Sequence, residues 1–301
     1  MSRSFVSRRF FGVRIEAHPI VFPAAALLVI AFVIIAALFP ARSLATFTQM
    51  KDWIETNFGW LYVLAMTGFL VLSLYLCFSK FGKVKLGRDD EEPEFGRLTW
   101  FSMLFSAGMG IGMLFWGVAE PMYHFNYPPD AEAKTLEAAR AAMGITLFHW
   151  GLHPWALYAL VGLSLAYFGF RRGLPLSFRS VFWPLFGDRI HGRLGDVIDI
   201  LAVLATLFGL ATSLGLGAKQ VNAGLYEVFG LPMTTGMQII LIACITGLAV
   251  ISLVSGLNVG IRRLSEINMC LAAFLLVFLF VVGPTLYLLG ALVENTGAYV
   301  R

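Results

Sequence analysis

Seven apolar stretches, each at or above the length a bilayer demands, run through this 301-residue chain, at roughly 19–40, 58–79, 98–123, 141–170, 197–229, 235–257 and 266–292. No water reaches the hydrocarbon core, so backbone N–H and C=O groups there must find partners within the protein, and helices meet that demand segment by segment. The expectation is an all-α polytopic membrane protein with seven transmembrane helices. Composition agrees: 58% of residues are hydrophobic and 13% charged, against roughly a quarter charged in soluble domains. The fourth and fifth stretches are too long to stand upright at about 1.5 Å per residue, and are expected to tilt or project from the bilayer.

Lys and Arg are distributed unevenly between the loops. With the N-terminus placed in the cytoplasm, four fall in the leading tail, five after the second stretch, five after the fourth and two after the sixth, sixteen of 22 in all. Basic residues favour cytoplasmic loops, which fixes this orientation and explains the net charge of +4 without nucleic acid. Cys77, Cys244 and Cys270 all lie within apolar stretches, so no disulfide framework is expected. No small-residue cleavage site follows a short apolar core, and the first stretch reads as a retained span. In the basic segment 171–196, Phe178, Val181, Phe182 and Leu185 recur at helical spacing behind Ser177. An amphipathic helix at about 177–190 along the cytoplasmic interface is expected, with Arg179 and Arg189 toward headgroups; an irregular basic linker is the alternative. The mixed-charge loop Gly82 to Arg97 reads as a solvated cytoplasmic loop.

The third stretch is unusual. FSAGMGIGMLFWGVAEPMYHF (105–125) sets Gly108, Gly110 and Gly112 at alternate positions. Glycine is the poorest ordinary helix former after proline, and helix-packing faces repeat every three or four residues, not every two. The helix is expected to open near Met109, leaving carbonyls for a cation and N–H groups for an anion, the device by which transporters bind substrates and ions at membrane depth. Close packing through small residues is the other reading.

The fourth stretch carries TLFHWGLHPWALYAL, with Trp150, Trp155 and Tyr158. Trp155 and Tyr158 share a helix face; Trp150 lies about 140° away on an ideal helix, unless Pro154 kinks it. Aromatic faces around a cavity hold a quaternary ammonium by cation–π attraction; an interfacial aromatic belt is the alternative. His149 and His153 stand at the i, i+4 spacing of two metal ligands, without an acidic or cysteine partner nearby in sequence, so no metal site is expected. Thr206, Thr212 and Ser213 supply hydroxyls in the fifth stretch, suited to their own backbone or to sodium. Asp199 and Glu120 lie near span ends and read as interfacial.

Together PEFGRLTWFSMLFSAGMGIGMLFWGVAEP (93–121), FHWGLHPWALYALVGLSLAYF (148–168), IDILAVLATLFGLATSLGLGAKQ (198–220) and VVGPT (281–285) resemble the betaine/choline/carnitine transporter family over nearly the whole chain. The resemblance implies two lead-in helices followed by the first five-helix repeat of a LeuT-like inverted-repeat fold. Residues 1–97 then hold the tail, the lead-in helices and a cytoplasmic loop; 98–292 the first repeat; 293–301 a truncated end. Substrate contacts carried over from the family fall on Gly108, Met109, Gly110, Gly112, Trp150, Trp155 and Tyr158. Ion-binding oxygens fall on Ser106 and Met109, and on Thr206 for a second ion position. Leu210 stands where that position's second hydroxyl would be, which departs from the pattern, and Gly112 stands where proton-coupled choline carriers tend to have an acidic residue.

The implied function is a symporter of glycine betaine, choline or carnitine, multi-pass in the bacterial inner membrane and serving osmotic protection or nutrient uptake. It implies no enzymatic activity and no cofactor, with Na⁺ as coupling ion and H⁺ as alternative. The partners implied are the ammonium solute, the bilayer and a homotrimer. The family continues into a tryptophan-rich eighth span, whereas this chain stops at Arg301, so the chain by itself is not expected to transport. Two other classes stay open: a non-transporting assembly or sensing partner of a full-length carrier, and an intramembrane enzyme built around His149 and His153.

Overall fold

A computed structural model describes residues 6–10 and 13–300. The chain is a polytopic helical membrane protein, but not purely α. Its first described residues form an antiparallel hairpin of β1 (Val6–Phe10) and β2 (Val13–Ala17), in the register Val6 to Ala17 and Phe10 to Val13. The alternation of Val13, Ile15 and Ala17 with Arg14 and Glu16 has the period of a strand. A hairpin this short leaves the helical class of the chain unchanged.

The helices are α1 (Val21–Leu38), α2 (Pro40–Phe78), α3 (Arg97–Gly108), α4 (Ile111–Asn126), α5 (Leu136–Trp150), α6 (Leu152–Ala166), α7 (Phe178–Val181), α8 (Trp183–Phe186), α9 (Arg193–Phe229), α10 (Thr235–Val254), α11 (Arg262–Val282) and α12 (Thr285–Val300). Among the described residues, five helical stretches are long and apolar enough to cross a membrane, or six when the bent pair α3–α4 counts as one. Three expected spans differ from the structure. The second begins at Pro40 instead of residue 58, giving a 39-residue helix about 58 Å long. Pro40 is pre-set for a first helical turn, and the polar stretch after it is helical without being apolar, with Lys51 reaching Glu55 at 3.2 Å. The fourth is two 15-residue helices separated at Gly151. A Cβ at that position would collide with the Leu147 carbonyl and meet the Tyr299 ring at 3.0 Å. The seventh is interrupted at Gly283 and Pro284, where proline has no N–H to continue the ladder.

Residues 177–190 are not one amphipathic helix. They fold as the short turns α7 and α8, followed by a 3-10 turn at Gly187–His191.

The chain divides into two compact units, Met1–Glu91 with Leu152–Gly209, and Glu92–Gly151 with Leu210–Arg301. In the first, α2 packs on α1 and α6. Ser73 donates to the Ala156 carbonyl at 3.3 Å, and Phe32 stacks edge-on to Phe208 at 4.8 Å. His18 Nδ1 accepts from the Ile20 and Val21 amides at 3.4 and 3.3 Å, satisfying free N–H groups at the start of α1. Arg171 holds Asp89 at 2.6 Å, and its guanidinium keeps the Asp89 carboxyl below the usual carboxylate range. In the second unit, α4 and α12 pack on α5, and α3 packs on α11. The buried stripe of α5 is Ala138, Ala142 and Thr146, small residues four apart, which bring backbones together where lipid offers no hydrophobic drive. Leu, Phe and Ile crowd the exposed surfaces of both units, the arrangement a lipid solvent allows.

Candidate functional site

The third stretch opens between α3 and α4, and the two helices meet at 49°. Met109 (φ −90°, ψ 90°) and Gly110 (φ −134°, ψ −163°) are extended. A break at this depth exposes backbone groups that need partners. The Met109 carbonyl accepts from Asn268 Nδ2 on α11 at 3.0 Å, and the same nitrogen donates to Ser106 Oγ at 3.2 Å. Ser106 in turn donates to the Ser265 carbonyl at 3.2 Å, and Thr99 donates to Glu266 at 2.9 Å. The α3–α11 contact is therefore a polar seam ending at the break. Ser106 and Met109 are brought together, with both oxygens converging on one amide nitrogen. A Cβ on Gly110 or Gly112 would meet nothing within 4 Å, so steric closeness does not explain either glycine.

A second polar centre joins α4 to α5. Glu120, only 7% exposed, contacts His149 Nδ1 through Oε1 and accepts the Trp150 indole N–H on Oε2. His124 Nε2 lies 3.5 Å from the same Oε1. Glu120 is thus buried and paired, and His149 does have an acidic partner. The sequence separation of 29 residues conceals it. Trp150 is oriented by this carboxylate.

In the first unit, Trp155 and Tyr158 lie together on α6, ring centroids 5.7 Å apart. Thr206 donates to the Ala202 carbonyl at 2.8 Å and lines a cavity of about 630 Å³ with His18, Phe178, Arg179 and Asp199. Arg179 does not face headgroups. It is 6% exposed, with Nε donating to Asp199 at 2.6 Å and a terminal nitrogen to Asp196 at 3.2 Å. The Arg179 backbone N–H also donates to Asp199, at 3.0 Å. Asp199 is accordingly a partner of Arg179, and His18 Nε2 stands 3.6 Å from Asp196. Buried charges persist only when paired and hydrogen-bonded, and here each carboxylate faces the guanidinium.

Sequence reasoning passed over Asn268, Asp196, His18 and the grouping around Glu120. A lone amide in the apolar run of α11 was a signal for Asn268. The other groupings depend on tertiary contacts that no spacing reveals.

A helical membrane protein with a span opened beside a polar seam is the class that these features define. The chain belongs to the betaine/carnitine/choline transporter family, whose model it matches over residues 20–301. It is 42% identical over 297 residues to a glycine betaine transporter of Acinetobacter baylyi, covering 99% of this chain and 44% of that protein. It is 48% identical over 252 residues to the glycine betaine transporter OpuD of Bacillus subtilis, covering 83% and 49%. It is 45% identical over 284 residues to the high-affinity choline transport protein of Escherichia coli, covering 94% and 42%. The chain spans about half the length of the curated relatives it matches.

Proposed function

We propose that this chain forms the first half of a sodium-coupled secondary transporter for quaternary-ammonium solutes, with glycine betaine as the leading substrate and choline or carnitine as others. The observation that carries this reading is the opened helix at Met109. Its carbonyl and the Ser106 hydroxyl stand side by side, both accepting from Asn268 Nδ2, and would supply two of the several oxygens that a small hard cation takes. The names of the relatives supply the substrate class. Trp150, Trp155 and Tyr158 are assigned the cation–π contacts to the ammonium group, and Gly108, Gly110 and Gly112 the backbone approach to substrate.

Thr206 is assigned to a second ion position, weakened by Leu210 where another hydroxyl would help. Gly112, without a carboxylate, favours sodium over protons. In this reading seven spans, two lead-in helices and one five-helix repeat are followed by a second repeat in the whole carrier. That repeat supplies the remaining aromatic walls and ion oxygens, because alternating access needs one repeat moving against another. The N-terminus is cytoplasmic, the membrane is the bacterial inner membrane, the assembly a trimer and the role osmotic protection.

The test is uptake of radiolabelled glycine betaine by cells expressing a carrier completed with a second repeat. Accumulation that collapses when sodium is replaced by potassium is expected. A completed carrier that reaches the membrane yet takes up none of betaine, choline and carnitine would refute the assignment.

A further inference from the structure

Glu120, His124 and His149 offer more than a hydrogen-bonded pair. Their ligand atoms, one carboxylate oxygen and two ring nitrogens, all lie within 4.8 Å of one another. Glu120 and His124 sit one turn apart on α4, and His149 reaches them from the last turn of α5. Both imidazoles converge on the same carboxylate oxygen, His149 in direct contact and His124 at 3.5 Å. The other oxygen is held by the Trp150 indole N–H, so the carboxylate cannot turn away. Two histidines and one carboxylate, oriented by an outer hydrogen bond and leaving further positions open, are the donor set of many zinc sites.

We propose that these three residues form a binding site for a divalent cation of the zinc class, bridging α4 to α5. Borderline nitrogen and oxygen donors suit zinc and its neighbours, whereas calcium and magnesium prefer oxygen alone. The His149 side chain is 49% exposed, which gives that ring freedom to move off Glu120 as the ion enters between them. The inference is independent of any transport activity.

Purified chain in detergent micelles would be titrated with Zn²⁺ by calorimetry, alongside His124→Gln, His149→Gln and His153→Gln. Expected are one ion per chain, affinity at least about tenfold weaker in the first two variants, and unchanged affinity in His153→Gln. Co²⁺ added to the unaltered chain should give the intense visible bands of a four-coordinate nitrogen–oxygen site, a readout free of any folding defect in the variants. No stoichiometric binding would overturn the proposal, as would equal affinity in all four proteins, loss of binding in His153→Gln alone, or a six-coordinate cobalt spectrum indistinguishable from buffer.

Discussion

Arg179 shows how residue type misleads when the partner is remote. A basic residue in a basic segment suggests a headgroup contact, yet this guanidinium is enclosed by Asp196 and Asp199, 17 and 20 residues further along the chain. Removing one member of such a network leaves the others charged, desolvated and uncompensated. Arg179→Ala should therefore destabilise the protein by about 3–5 kcal/mol, seen as a lower melting temperature in detergent. Melting like the unaltered chain would mean that the carboxylates are solvated. The opening at Met109, by contrast, was legible from alternate glycines, since it depends on local backbone preference. Asn268, which satisfies the freed carbonyl, was not, because a single amide in an apolar run names no partner.

At the scale of elements, apolar stretches bounded by polar residues were readable almost to their ends, as α1 and α10 show. The interruptions at Gly151 and Pro284 were not, because hydropathy runs through both while the backbone does not. The early start of α2 was missed for the opposite reason: its first turns are helical but not apolar. Small residues now explain where helices approach closely. Ala142, 2% exposed, sits in the middle of the buried stripe of α5, and a larger side chain there has no room. Ala142→Leu should cost about 1–3 kcal/mol through overpacking, whereas Ala141→Leu, one residue round the helix, should cost less. Thermal unfolding of the two variants side by side checks this. Equal melting temperatures would remove the stripe from its packing role.

For the whole molecule, family membership was legible because the motifs around Gly108–Gly112, Trp150–Tyr158 and Thr206 occur together in one chain. The placement of their side chains was not. The structure gives Trp150 a buried carboxylate partner and pairs Trp155 with Tyr158; in the reading proposed above Trp150 also contacts the ammonium group. A desolvated cation–π contact contributes up to about 2 kcal/mol, which corresponds to roughly thirtyfold in an apparent constant. The most direct measurement is therefore the KM for glycine betaine uptake by a completed carrier bearing Trp150→Ala, beside the unaltered carrier at equal surface expression. The account predicts a KM raised by about thirtyfold, with the sodium requirement retained. An unchanged KM would contradict it.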